Sequence, residues 1–178
     1  MPKGGFIMRI GKFKKLLAVA FCLMLTSCTN TENGACSSDL VSLAVTECES
    51  LKGSYTVYIS TATEGQDGYL CPVDFYSLYY TEAGHANELD LLDDWCIALS
   101  ASGKPRELHI LKLKSKSERP KIEEMLRRRQ KKLISPELYR PQSEFLYQKP
   151  DDAEVFFYGN FVILCSSDNV EEAIRMFK

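Results

Sequence analysis

A chain of 178 residues, 45% hydrophobic and 26% charged, suits one globular domain with an appendage. Ten Gly and seven Pro are too few for a collagen-like or low-complexity chain, and nine Phe, nine Tyr and one Trp argue for a packed core. A formal charge of −2 points to neither nucleic-acid binding nor an acidic tail.

That charge averages two unlike parts. Within a leader of residues 1–27, residues 1–15 carry Lys3, Arg9, Lys12, Lys14 and Lys15 and no acid, followed by the apolar run from Leu16 to Leu25. A basic region, a short apolar core and small residues before a cleavage point define a secretory signal peptide. Ten apolar residues rise roughly 15 Å as a helix, about half the hydrocarbon core of a bilayer. Met1 and Met8 both serve as starts, because the basic region survives from Arg9 onward.

The end of the leader, Leu25-Thr26-Ser27-Cys28, resembles the bacterial lipobox. That resemblance implies diacylglycerol on the Cys28 thiol and cleavage just before it. The alternative is ordinary secretion with an incidental Cys28. Removing the leader takes away five of 22 basic residues and none of 24 acids, so 17 minus 24 leaves the body at −7. An acidic body is mildly repelled by an anionic leaflet, so the lipid would supply the anchoring.

Residues 28–39 read as a flexible tether, and residues 40–178 as a single domain. Leu40 to Val45 starts a short helix with Asp39 as its N-cap. Ser54 to Ser60 alternates β-branched and aromatic residues and is a strand, followed by a turn at Glu64 to Gly68. Tyr69 to Tyr80 is aromatic-rich and ambiguous, with Pro72 interrupting any ladder. Glu88 to Asp94 is a short helix or loop.

Trp95 to Leu99 and Glu107 to Lys114 pair as a hairpin across a turn at Ala101 to Pro105. The clearest element is a helix at 118–133, capped by Ser117, with Pro120 in its first turn. Ile122, Met125, Leu126 and Leu133 form its apolar stripe. Pro136 stops it, and Pro141 precedes a short segment from Ser143 to Tyr147. Ala153 to Tyr158 and Phe161 to Cys165 form a second hairpin across Gly159-Asn160. Asp168 caps a last helix through Phe177. The sum is an α+β fold: an antiparallel sheet with one long and one or two short helices on one face.

Five cysteines remain in the domain: Cys36, Cys48, Cys71, Cys96 and Cys165. An odd number leaves at least one thiol unpaired, and no CxxC occurs. Cys96 and Cys165 lie in apolar strand-like runs that suit buried thiols. A Cys36–Cys48 bridge is the alternative that export would permit.

The Glu107-Leu108-His109-Ile110 strand, the basic helix before Tyr139-Arg140-Pro141, and the Gly159-Asn160-Phe161-Val162 hairpin with its closing helix occur in that order. Residues 92–178, the C-terminal half, thereby resemble the domain of unknown function 4358, found in small lipoproteins of Gram-positive bacteria. In that pattern the helix carries an arginine, best matched here by Arg128. The resemblance implies a membrane-anchored extracytoplasmic lipoprotein and no activity.

Catalytic chemistry has few candidates. Of the two histidines, His109 reads as a sheet position and His85 as a loop residue near Glu88, Asp90, Asp93 and Asp94. Those acids lack the spacing of a calcium loop, so no metal or cofactor is expected. No phosphate loop, HExxH or GxSxG occurs. Arg127, Arg128, Lys131 and Lys132 read as a solvated helix face, or alternatively as a contact for an anionic surface. Phe75, Tyr76, Tyr79 and Tyr80 read as core, or alternatively as a stacking surface. The leading expectation is a non-enzymatic binding or interaction module, held at the membrane by lipid and meeting a protein or cell-wall partner. The alternative is an exported enzyme with an unannounced site. The chain is short for a two-lobed transport receptor.

Overall fold

Two runs of the sequence are dense in apolar residues, Leu108 to Leu111 with His109 its one polar member, and Phe161 to Cys165, and they become the neighbouring strands on which the fold is built. A strand that alternates needs cover on one side. A strand with apolar residues at successive positions needs it on both. In a computed structural model that describes residues 34–80, 87–101, 106–134 and 152–178, both faces are covered.

In chain order the elements are helix α1 (Ser37–Glu47), strand β1 (Tyr55–Ile59), helix α2 (Pro72–Tyr79), strands β2 (Leu92–Ser100) and β3 (Glu107–Leu113), helix α3 (Arg119–Ile134), strands β4 (Asp152–Tyr158) and β5 (Phe161–Ser167), and helix α4 (Val170–Met176). Short 3-10 turns at Glu49–Leu51, Glu88–Leu91 and Lys116–Glu118 join them. The five strands lie in the order β1-β2-β3-β5-β4, and every neighbour is antiparallel. Ala35–Lys178 form one compact unit.

The fold is α+β on an antiparallel sheet, as its sequence indicates, but its helices do not share one face. Leu40, Val41 and Ala44 of α1 and Ala173 of α4 pack on Cys96, Ala98, Leu108, Ile110, Ile163 and Cys165. Phe75 and Tyr79 of α2 and Ile122, Met125, Leu126 and Leu133 of α3 pack on Ile97, Leu111, Val162 and Leu164. Odd and even residues of β2, β3 and β5 therefore feed two cores. All seven residues of β5 are buried, which a single helical layer could not achieve.

Several local expectations change for identifiable reasons. Ordered structure begins before residue 40, because α1 starts at Ser37. Asp39 lies in its first turn, and Cys36 is the N-cap without a side-chain bond. The first helical N–H is instead satisfied from a distance: Ser37 N–H donates to Asp94 Oδ2 at 2.6 Å. The ambiguous aromatic stretch becomes α2 because Pro72 sits at its start, where a missing N–H does no harm. Asn169, not Asp168, caps α4, accepting from Glu172 N–H at 3.3 Å. Asp168 pairs with Arg106 instead.

The β4–β5 turn behaves as its composition suggests. Gly159 has φ +54° and no non-glycine residue among those described has positive φ, so Asn160 does not share it. That is the pattern of a type II′ hairpin turn. All five thiols are free, with Cys48, Cys96 and Cys165 buried. Cys36 and Cys48 flank opposite ends of an eleven-residue helix, about 18 Å apart, far beyond disulfide reach. The leader with Cys28, His85, the residues at 102–105 and those from Pro136 to Tyr147 lie outside the described residues.

Candidate functional site

Three polar side chains are buried on the α2/α3 side of the sheet, where the neighbouring positions are apolar. Glu107 and His109 are two residues apart on β3 and therefore point to the same face. Tyr79 comes from the last turn of α2. The fourth member, Arg129, reaches in from α3. Its position, seven residues after Ile122, falls on the same stripe as Met125, Leu126 and Leu133.

The four form a chain. Tyr79 Oη lies 2.8 Å from His109 Nδ1, and His109 Nε2 lies 3.0 Å from Glu107 Oε2. Arg129 Nε donates to the same Oε2 at 2.9 Å, and its Nη2 donates to Oε1, forming a two-pronged ion pair. Burial alone would raise the Glu107 carboxyl, but hydrogen bonds from His109 and Arg129 and the guanidinium charge hold it well below the usual carboxylate range. Glu107 is thus an acceptor only, and His109 Nε2 must carry the proton between them. Burial likewise pushes His109 below its ordinary value, which leaves it neutral. Nδ1 is then the acceptor for the Tyr79 hydroxyl. Every donor has an acceptor, and the pair Glu107–Arg129 sums to no net charge.

This order of groups, hydroxyl then imidazole then carboxylate, is that of an activated nucleophile with its base and orienting acid. The setting is different. Tyr79 is 1% exposed and His109 0%, and burial pushes the Tyr79 hydroxyl up, away from its reactive form. Tyr79 and His109 present almost no surface of their own to solvent. What the network does is fasten α2 and α3 to the central strand. Arg129 Nη1 and Lys132 Nζ also each donate at 3.4 Å to Leu78 O, near the end of α2.

The basic face of α3 is largely compensated in place. Arg127 pairs with Glu123 and Arg128 with Glu124, each one helical turn back. Arg128 also lies over the Tyr80 ring at 5.2 Å. Lys132 is half-buried against Leu78, and Lys131 is exposed. An anionic surface meeting these four would have to break two ion pairs or engage Lys131 almost alone. Arg128 faces solvent, whereas the arginine that meets Glu107 of the strand is Arg129.

The aromatic cluster is mainly core. Phe75 is buried against Trp95 and Tyr79, with ring centroids 5.3 and 5.2 Å away. Tyr76 and Tyr80 are half-buried with committed hydroxyls: Leu89 N–H donates to Tyr76 at 3.2 Å, and Tyr80 donates to Glu88 at 2.8 Å. Burial pushes the Cys96 and Cys165 thiols up to about 12, so neither is a nucleophile near neutrality. Among the described residues no group of His, Cys, Asp and Glu is placed to hold a metal ion.

No protein-family model, curated protein or solved structure matches this chain.

Proposed function

We propose that the chain is the precursor of an extracytoplasmic lipoprotein, anchored through lipid on Cys28, whose folded domain is a non-enzymatic binding or interaction module. The observation that carries the anchoring is the sequence Leu25-Thr26-Ser27-Cys28 at the end of a basic and then apolar leader. Patterned, folded sequence starts soon after it, with α1 at Ser37. Among the described residues no helix is long and apolar enough to cross a membrane, so the anchoring rests on the leader and its cysteine.

The non-enzymatic part is supported by how the reactive side chains are used. Tyr79, His109, Glu107 and Arg129 satisfy one another. Asp94 caps α1, and Glu172 accepts from the N–H groups of Glu49 and Ser50. Groups fixed in this way hold elements together.

Expression in a bacterium that matures lipoproteins, fed an alkyne-bearing fatty acid, tests the anchoring. The wild-type chain should take up the label and sediment with membranes. Cys28→Ala should lose the label and appear in the soluble extracytoplasmic fraction. Label and membrane association that survive Cys28→Ala would overturn the reading.

A further inference from the structure

We propose that the Tyr79–His109 hydrogen bond is a proton-operated latch, holding α2 on the sheet while the imidazole is neutral and loosening it when the imidazole takes up a proton. The geometry carries this. His109 has one ring nitrogen turned to each neighbour: Nε2 to Glu107 at 3.0 Å and Nδ1 to Tyr79 at 2.8 Å. The Glu107 side needs a donor, and the Tyr79 hydroxyl needs an acceptor. A neutral ring meets both needs at once. A protonated ring donates at both nitrogens, and the Tyr79 hydroxyl proton is left without its acceptor in a site almost sealed from water.

The charges around His109 give the proton nowhere favourable to settle. On β3 the facing group is Glu107, whose negative charge is already balanced by the fork of Arg129 from α3. On α2 it is Tyr79, neutral. Lys132 of α3, bonded to Leu78 O, adds a second positive charge at the end of α2. The register partners on β2 and β5 are Ile97 and Leu164, which do not titrate. An imidazolium here would be the uncompensated charge of the cluster.

The sign follows from linkage. Burial lowers His109 from its ordinary value, so the latched state binds protons less well than the loosened one. The latch is fully set above about pH 6.5 and weakens as pH falls below it. The segment that responds is α2. Eight residues cannot sustain a helix without their packing. The polar ties that α2 makes to β3 and α3 are this hydrogen bond and the two donors on Leu78 O. By contrast α1 is fastened through Asp94 and α4 through Asn169 and Glu172, none of them near His109.

Amide hydrogen exchange on the full chain in detergent reads the latch directly. After correction for intrinsic exchange rates, protection of the α2 amides should fall about tenfold or more between about pH 7.5 and about pH 5, while α1 amides hold theirs. Trp95 fluorescence should shift in parallel, since Phe75 of α2 packs on that ring at 5.3 Å and it is the one Trp of the chain. His109→Gln, which does not titrate, should flatten both responses. Should His109→Gln fail to fold, Tyr79→Phe keeps the buried ring and removes only the hydroxyl. It should lower α2 protection near neutrality and lose most of the pH response. Protection of α2 that is independent of pH in the wild type, or a Tyr79→Phe profile parallel to the wild type, would overturn the proposal.

Discussion

Adjacent arginines on one helix can differ fully in what they hold, and Arg128 and Arg129 do. Arg128 is exposed and paired with Glu124 in water, where two long side chains gain little by being held together. Arg129 is 14% exposed and grips Glu107, which is 8% exposed, with two nitrogens. Removing one partner of such a pair leaves an uncompensated buried charge, at a cost of about 3–5 kcal/mol. Arg129→Ala should lower the free energy of urea unfolding by about that amount, whereas Arg128→Ala should leave the midpoint within error. Equal effects of the two variants would contradict this account. The signal that singles out Arg129 is present in the sequence. Ile122, Met125, Leu126 and Leu133 mark an apolar stripe, and position 129 is the missing member between them. It hides inside the run Arg127 to Lys132, whose charge makes all of it look like a solvated face. Glu107 and His109 hide in the same way, because a strand gives a polar residue no local sign that its partner lies on a distant helix.

Element boundaries follow the sequence closely where the reason for the element is local, and depart from it where the reason is remote. The stripe on α3 and the Gly159-Asn160 turn are local, and both are legible. The start of α1 is not. Its cap is Asp94, fifty-seven residues away, which also accepts from Ser60 Oγ. Burial would raise the Asp94 carboxyl, but the Ser60 and Ser37 bonds outweigh it and hold it low. Asp94→Ala should therefore cost about 1–2 kcal/mol, in the range of a lost helix cap. The loss should show first as faster exchange of the amides at the start of α1. Unchanged exchange there would mean that the cap contributes nothing. The sidedness of the helices is remote in the same sense. Alternation reveals which residues of a strand share a face, but β3 and β5 are buried throughout, and continuous burial does not say which helix covers which side.

At the scale of the whole molecule, two electrostatic tendencies oppose each other in mild acid. The body without its leader carries 17 basic and 24 acidic residues, or −7, and self-repulsion of that charge weakens as carboxylates are protonated. On this ground alone acidification would stabilise the fold until about seven carboxylates are protonated, beyond which the 17 basic residues leave a growing positive charge. The specific pairs act the other way. Glu107 is held at about 2, against an ordinary value of 4.5 in the unfolded chain. A group held low when folded contributes stability that is complete above its unfolded value and is lost as pH falls through the folded one. For Glu107 that contribution is about 3 kcal/mol, lost between about pH 4.5 and about pH 2. Asp94 and Glu172 are held low as well and add to the fall. Surface repulsion is spread over long, screened distances, whereas the Glu107 pair is buried, so the specific term wins. Stability measured by urea midpoint should hold at neutrality, ease below about pH 6.5 as the His109 contribution is lost, and drop steeply below about pH 4.5. Glu107→Gln should start from a lower plateau but fall less steeply, because its amide has no proton to take up. If the wild-type and Glu107→Gln curves run parallel from about pH 5 to about pH 2, acid sensitivity lies with groups other than the pair at the centre of the sheet.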